Sequence, residues 1–247
     1  MNKMTARAAA IAALIGAPAF AADMAVKAPP PAPAPVYSWT GCYLGANVGY
    51  GWAPTKWNDP TTGLEFASHT ADGVVGGGQI GCDYQFDPRW VIGIRGMFDG
   101  TDMSGSSHKV IGAGGPDIFD HTRVSWFTTL TGRIAYAIQP ITLLYVQGGA
   151  AWVRDKLDEC CLPAPAPVDD GFANVTRTGW TVGVGVEHMF RPNWSAFLEY
   201  NFIGLGTDTI TFAPTGFAAS PSIYNIRQDV HTLLVGLNYR FGAFASR

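Results

Sequence analysis

Seven charged residues stand where a chain could use them as one set: Asp83, Arg95, Asp99, Arg133, Glu187, Glu199 and Arg240. Guanidinium and carboxylate groups pair through charge-assisted, often bidentate hydrogen bonds, so this set suits an ion-paired network. It does not suit hydrolysis, which needs a nucleophile beside a base and an orienting group. His231 is the one histidine with a hydrolytic reading, as part of a lipid-modifying enzyme. Its nearest candidates for partners are Ser125 and Asp229, and Ser125 belongs to a distant segment. An interfacial histidine is the favoured reading. Gly76-x-Gly78-x-x-Gly81 has the spacing of a dinucleotide fingerprint, but that motif must open a helix. Here the pattern continues as a strand. Asp117, Asp120, Asp169 and Asp170 lack calcium-loop spacing and read as solvated loop charges. No cofactor, metal or catalytic residue is expected.

The elements that position the seven charges show a period of two, the mark of a strand with unlike faces. The last segment is the clearest: Leu233, Val235, Leu237, Tyr239 and Phe241 share one face, and Thr232, Gly236, Asn238 and Arg240 fall mostly on the other. Similar alternation runs from about Trp39 to Trp52, Gly73 to Phe86, Trp90 to Asp99, Arg123 to Ile138, Ile141 to Asp155, Val175 to Phe190 and Trp194 to Phe212. That makes eight strands. The 247 residues are 47% hydrophobic and only 14% charged, against roughly 25% charged in soluble domains. The net charge of −3 argues against a nucleic-acid partner.

The connections alternate in length. Tight turns carry Pro88, Pro140 and Pro192, 52 residues apart each time, and proline presets the φ a turn needs. Long polar segments near 53–70, 104–120, 156–171 and 213–224 read as loops. Short turns on one rim and long loops on the other describe an eight-stranded antiparallel up-and-down transmembrane β-barrel. Before it, residues 1–21 read as a signal peptide, with Lys3, Arg7, an apolar stretch and Ala19-Phe20-Ala21. Residues 22–38 read as a Pro/Ala-rich periplasmic linker. The barrel then spans 39–241, and 242–247 form a short tail.

The apolar set faces lipid, with aromatics near both ends: Trp39, Tyr84, Phe86, Trp90, Tyr136, Phe190, Trp194, Tyr239 and Phe241 at the short turns, and Trp52, Trp126, Trp152 and Trp180 at the other rim. The polar set then lines a lumen that eight strands leave only wide enough for side chains. Buried charges must be paired, so the expectation is a salt-bridged plug. If the first hairpin folds about residue 62, Cys42 and Cys82 sit opposite each other. An oxidising compartment permits a disulfide there; the alternative is two thiols in the lipid belt. Cys160 and Cys161 lie in a long loop, where metal or intermolecular pairing is a weak reading.

Several motifs carry a resemblance. Trp39-Thr40-Gly41-Cys42-Tyr43-Leu44-Gly45-Ala46-Asn47-Val48-Gly49-Tyr50-Gly51 is one, and Gly77-Gly78-Gln79-Ile80-Gly81-Cys82-Asp83-Tyr84-Gln85 another. Thr131-Gly132-Arg133-Ile134-Ala135-Tyr136 and Val235-Gly236-Leu237-Asn238-Tyr239-Arg240-Phe241 complete them. Together they resemble the alphaproteobacterial outer-membrane immunogenic protein family across nearly the whole chain. The resemblance implies a porin-like outer-membrane barrel with a structural, surface-exposed role in the cell envelope and no catalytic residues. A channel for small solutes or ions is the alternative. Its partners would be outer-membrane lipids and lipopolysaccharide. During biogenesis the barrel-assembly machinery would read the closing strand, Leu233 to Phe241. Oligomeric state is left open.

Overall fold

A computed structural model describes residues 37–63, 65–110, 117–162, 171–214 and 222–241. The signal peptide at 1–21, most of the 22–38 linker and the 242–247 tail lie outside the described residues, as do the side chains of Asp117, Cys160 and Cys161 and all of Asp169 and Asp170. Eight strands form: β1 (Gly41–Asn58), β2 (Glu65–Asp87), β3 (Trp90–Val110), β4 (Asp117–Gln139), β5 (Thr142–Leu162), β6 (Gly171–Arg191), β7 (Trp194–Pro214) and β8 (Ser222–Phe241). Each pairs antiparallel with the next, and β8 returns to β1 to close the ring. Closure leaves no sheet edge, which hydrocarbon cannot tolerate because it offers no partner for a free N–H or C=O. The described residues contain no helix.

The three proline turns repeat one backbone device. The second turn residue offers its carbonyl to the neighbouring hairpin: Arg89 O accepts from Ala137 N at 2.7 Å, Ile141 O from Met189 N at 2.8 Å, and Asn193 O from Arg240 N at 2.7 Å. The 52-residue spacing of Pro88, Pro140 and Pro192 is the sequence trace of that repeat. Of the connections on the other rim, the one from β1 to β2 turns on Asp59. Its carboxylate accepts from the backbone N–H groups of Thr61 and Thr62, both at 2.8 Å, which holds it below the usual carboxylate range.

Most of the residues expected as long loops are strand instead. β1 runs on to Asn58 and β2 begins at Glu65; β3 to β8 extend in the same way. The alternation persists there with its faces exchanged. Between the belts Leu44, Ile80, Val184 and Val235 point outward. Beyond Trp52, Trp126, Trp152 and Trp180 the outward residues include Lys56, Arg123, Lys156 and Arg227, while Trp57, Leu157, Phe212 and Ile226 pack inside. Lipid outside selects one pattern and water outside selects its inverse. In β4 and β7 the exchange is helped by bulges at Val124/Trp126 and Gly204/Thr207, which shift the parity of every residue beyond them. Asp120, expected as a solvated loop charge, is therefore buried inside the extension and accepts from Ser107 Oγ at 3.2 Å.

Two other placements concern β1. Trp39, expected in the aromatic belt, is fully buried in the lumen, where its Nε1 donates to Pro140 O at 3.1 Å. It shares the parity of Gly41 and Tyr43, both inward. Cys42 faces Cys82 directly in the β1–β2 ladder, and the two are joined as a disulfide with Cα atoms 3.9 Å apart.

The approach of neighbouring strands requires glycine at Gly49 and not at Gly96. A Cβ at Gly49 would sit 2.0 Å from the Leu233 carbonyl oxygen, and one at Gly96 would meet nothing within 4 Å. Gly49→Val is therefore expected to abolish the mobility difference between unheated and boiled barrel on a gel. Gly96→Ala should keep it.

Candidate functional site

Between the belts the lumen is built in layers. At the short-turn end Trp39, Val91, Leu143 and Met189 form an apolar floor. Above it lies the charged layer, and above that a second apolar layer with Met97, Phe127, Ile203 and Leu234.

Arg133 is the hub of the charged layer. Its Nε donates to Asp83 Oδ1 at 2.8 Å, its second terminal nitrogen donates to Asp83 Oδ2, and Nη1 donates to Glu187 Oε2 at 3.0 Å. Its guanidinium carbon lies 5.0 Å from the Tyr43 ring centre and 5.1 Å from that of Tyr145, so the planar cation is held by two aromatic rings. Arg240 donates from Nη1 to Asp83 Oδ2 at 2.8 Å and to Trp39 O at 2.7 Å, and lies over the Tyr43 and Trp39 rings. Glu187 also accepts from Ser195 Oγ at 2.6 Å and Asn238 Nδ2 at 2.9 Å.

A second pair crosses the lumen from β3 to β7. Arg95 donates two hydrogen bonds to Glu199, at 2.7 and 2.6 Å, and Tyr145 Oη and Asn201 Nδ2 add bonds at 2.6 and 2.7 Å. Gln79 donates to Asn238 at 2.6 Å and Gln147 to Asn201 at 2.7 Å. Every strand contributes a side chain to this layer. Six of the seven charges named from sequence are joined within it. Asp99 is not: it is fully buried beside Asn47, it has no ion pair, and its oxygens make no hydrogen bond of ordinary geometry among the described residues. Three arginines therefore face four carboxylates, and Asp99 is the surplus one.

Sequence reasoning missed the rings that hold the arginines. Three large inward rings each lie over a glycine directly opposite on the next strand: Tyr43 over Gly81, Tyr145 over Gly185 and Phe197 over Gly236. A Cβ at any of the three would come within 2.5 Å of the ring facing it. Glycine on one strand lets the ring of the other lean across the lumen. The signal was an aromatic on the polar parity opposite a glycine.

Elsewhere, Arg177 fastens the extension above the belt. It donates to Asp208 at 2.7 Å, Gln228 at 3.0 Å, and the carbonyls of Gly206 and Ile226 at 3.2 and 3.1 Å. It does so where the β6–β7 ladder is interrupted between Phe172 and Trp180. His231 is stacked on Trp52 with ring centres 5.4 Å apart, and its Nδ1 lies 2.8 Å from Tyr200 Oη. Ser125 stands on β4, on the opposite side of the ring from β8, so the structure does not assemble the hydrolytic set. Leu233, Val235, Leu237, Tyr239 and Phe241 all point outward along β8, with Phe241 opposite Cys42.

A closed antiparallel barrel with an apolar, aromatic-edged outer band and a charge-filled interior defines the outer-membrane β-barrel proteins. The chain belongs to the outer membrane protein beta-barrel domain family, whose sequence profile matches residues 8–241. Within it, the chain is a member of the outer-membrane immunogenic protein group. It is 33% identical over 245 residues to the 31 kDa outer-membrane immunogenic protein of Brucella melitensis, covering 94% of this chain and 98% of that one. To the 25 kDa outer-membrane immunogenic protein of Brucella abortus it is 30% identical over 230 residues, covering 91% and 92%. Among solved structures, the outer membrane protein OprG of Pseudomonas aeruginosa superposes with a TM-score of 0.52 at 12% identity, over 83% of this chain and 97% of that one. That last likeness shows the fold alone. The protein resides in the outer membrane.

Removing one partner from a buried ion pair strands the other and costs about 3–5 kcal/mol. Glu187→Gln should therefore lower the stability of the barrel in urea titrations by about that much. Asp99→Asn removes the surplus charge and should leave stability unchanged or raise it.

Proposed function

We infer that this protein is a structural and surface-displayed element of the cell envelope, with a lumen closed to solutes, and that it carries out no reaction. The carrying observation is the stacking of two kinds of seal in one lumen. A charged layer drawn from all eight strands is followed by an apolar layer around Phe127 and Ile203, and the side chains of both are buried. An ion entering would have to shed water against apolar walls and then displace charge pairs already satisfied. The word immunogenic in the relatives' names supports exposure at the cell surface, and the strands carried past the upper belt supply the exposed part. The outward face of β8 is the surface offered to the assembly machinery.

The measurement is conductance across a planar bilayer. The wild-type barrel should show no steady current. Because two layers close the lumen, Glu199→Ala alone should have a small effect, and Glu199→Ala combined with Phe127→Ala should open a measurable current. Steady conduction by the wild-type protein would support the porin-like alternative and reject the closed lumen.

A further inference from the structure

Above the aromatic belt on β4 and β5, the outer wall carries Arg123 directly opposite Lys156 in the ladder, both outward and exposed. Arg154, outward on the row below, is opposite Trp126 and donates to Thr176 Oγ1 at 3.0 Å. Like charges facing each other across a ladder repel, so the arrangement needs an anion to be favourable. The acidic residues nearby do not supply enough. Asp102 holds Arg123 at 3.0 Å but is 81% exposed, and such surface pairs contribute little. Asp158 lies one outward row further from the belt, opposite His121. Lys156 makes no ion pair among the described residues.

The height of the cluster says which anion. Trp126 and Trp152 mark the upper edge of the lipid-facing band, and Lys156 is four residues beyond Trp152. That places the cations at headgroup depth, where phosphates of outer-leaflet lipid lie. The opposite side of the barrel provides a contrast. Lys56 faces Arg227 there, but the next outward residue below Arg227 on β8 is the acidic Asp229, where β5 carries Arg154.

We propose that Arg123 and Lys156, assisted by Arg154, bind a phosphate of an outer-leaflet glycolipid. This rests on the outer-membrane location and not on the lumen being closed, so a conducting barrel would leave it standing.

The test titrates the full barrel, in zwitterionic micelles, with diphosphorylated lipid A, with the same lipid stripped of phosphate, and with inorganic phosphate. Bound species are counted by native mass spectrometry, and the gel shift on boiling checks that each variant is folded. Wild type should bind the phosphorylated lipid at least about tenfold more tightly than the stripped one, since each cation near a charged lipid surface contributes about a factor of five. The double change Arg123→Gln and Lys156→Gln should erase that preference. Lys156→Arg should keep it, and so should Arg227→Gln on the far side. Equal binding of both lipids by wild type overturns the site, as does an unchanged preference in the double variant. A loss as large in Arg227→Gln would replace it with a diffuse cationic collar. Displacement of the lipid by inorganic phosphate at similar concentration would make it a site for aqueous anions.

Discussion

Everything inside the membrane-spanning part depends on one constraint: a charge taken out of water must find its counter-charge without waiting for solvent. Arg133 meets it most completely, with Asp83 and Glu187 in its plane and Tyr43 and Tyr145 against it. Those four partners come from four different strands. Satisfying one guanidinium therefore fixes the relative positions of β1, β2, β4, β5 and β6. A strand that slipped by one residue would turn its partner residue outward into lipid. The network contributes specificity of register, and a purely apolar filling of the same volume would not.

The same physics explains why the barrel is longer than the bilayer needs. A spanning strand takes about 9–11 residues, and these strands run to 18–23. Past the tryptophan level the solvent changes from hydrocarbon to water, and the wall exchanges its faces accordingly. The interior becomes an ordinary apolar core around Trp57, Leu157, Phe212 and Ile226. The extension is held as a soluble β-protein is held, by burial inside, and Arg177 closes the one stretch where β6 and β7 part.

Strand number, antiparallel order, the lipid-facing set and the parity of all seven charges were legible in the sequence, because a period of two needs only local alternation. What was not legible came from ladder irregularities and from depth. Bulges in β4 and β7 carry no residue signature, yet they re-aim Val124 and Ile210. The polar stretches beyond the belt looked like loops because their outward residues are those of a water-facing surface. Trp39 was misplaced for a different reason: an aromatic near a rim suggests the belt, and only its parity with Tyr43 says otherwise. Tyr43 and Tyr145 stood on the polar parity in plain view, and their use became visible only once each was matched to the glycine across from it.

The bond between Cys42 and Cys82 bears on the history of the molecule as well as its stability. Both residues lie in the first hairpin, at the end of β1 that β8 meets last in sequence. Once oxidised, that hairpin has a single permitted alignment, whatever the remaining six strands are doing. The strand that eventually arrives opposite Cys42 is then received by a template whose phase is already set. Barrel closure becomes a matching of one free edge to one fixed edge, and the chain carries its own reference mark for where the circle begins.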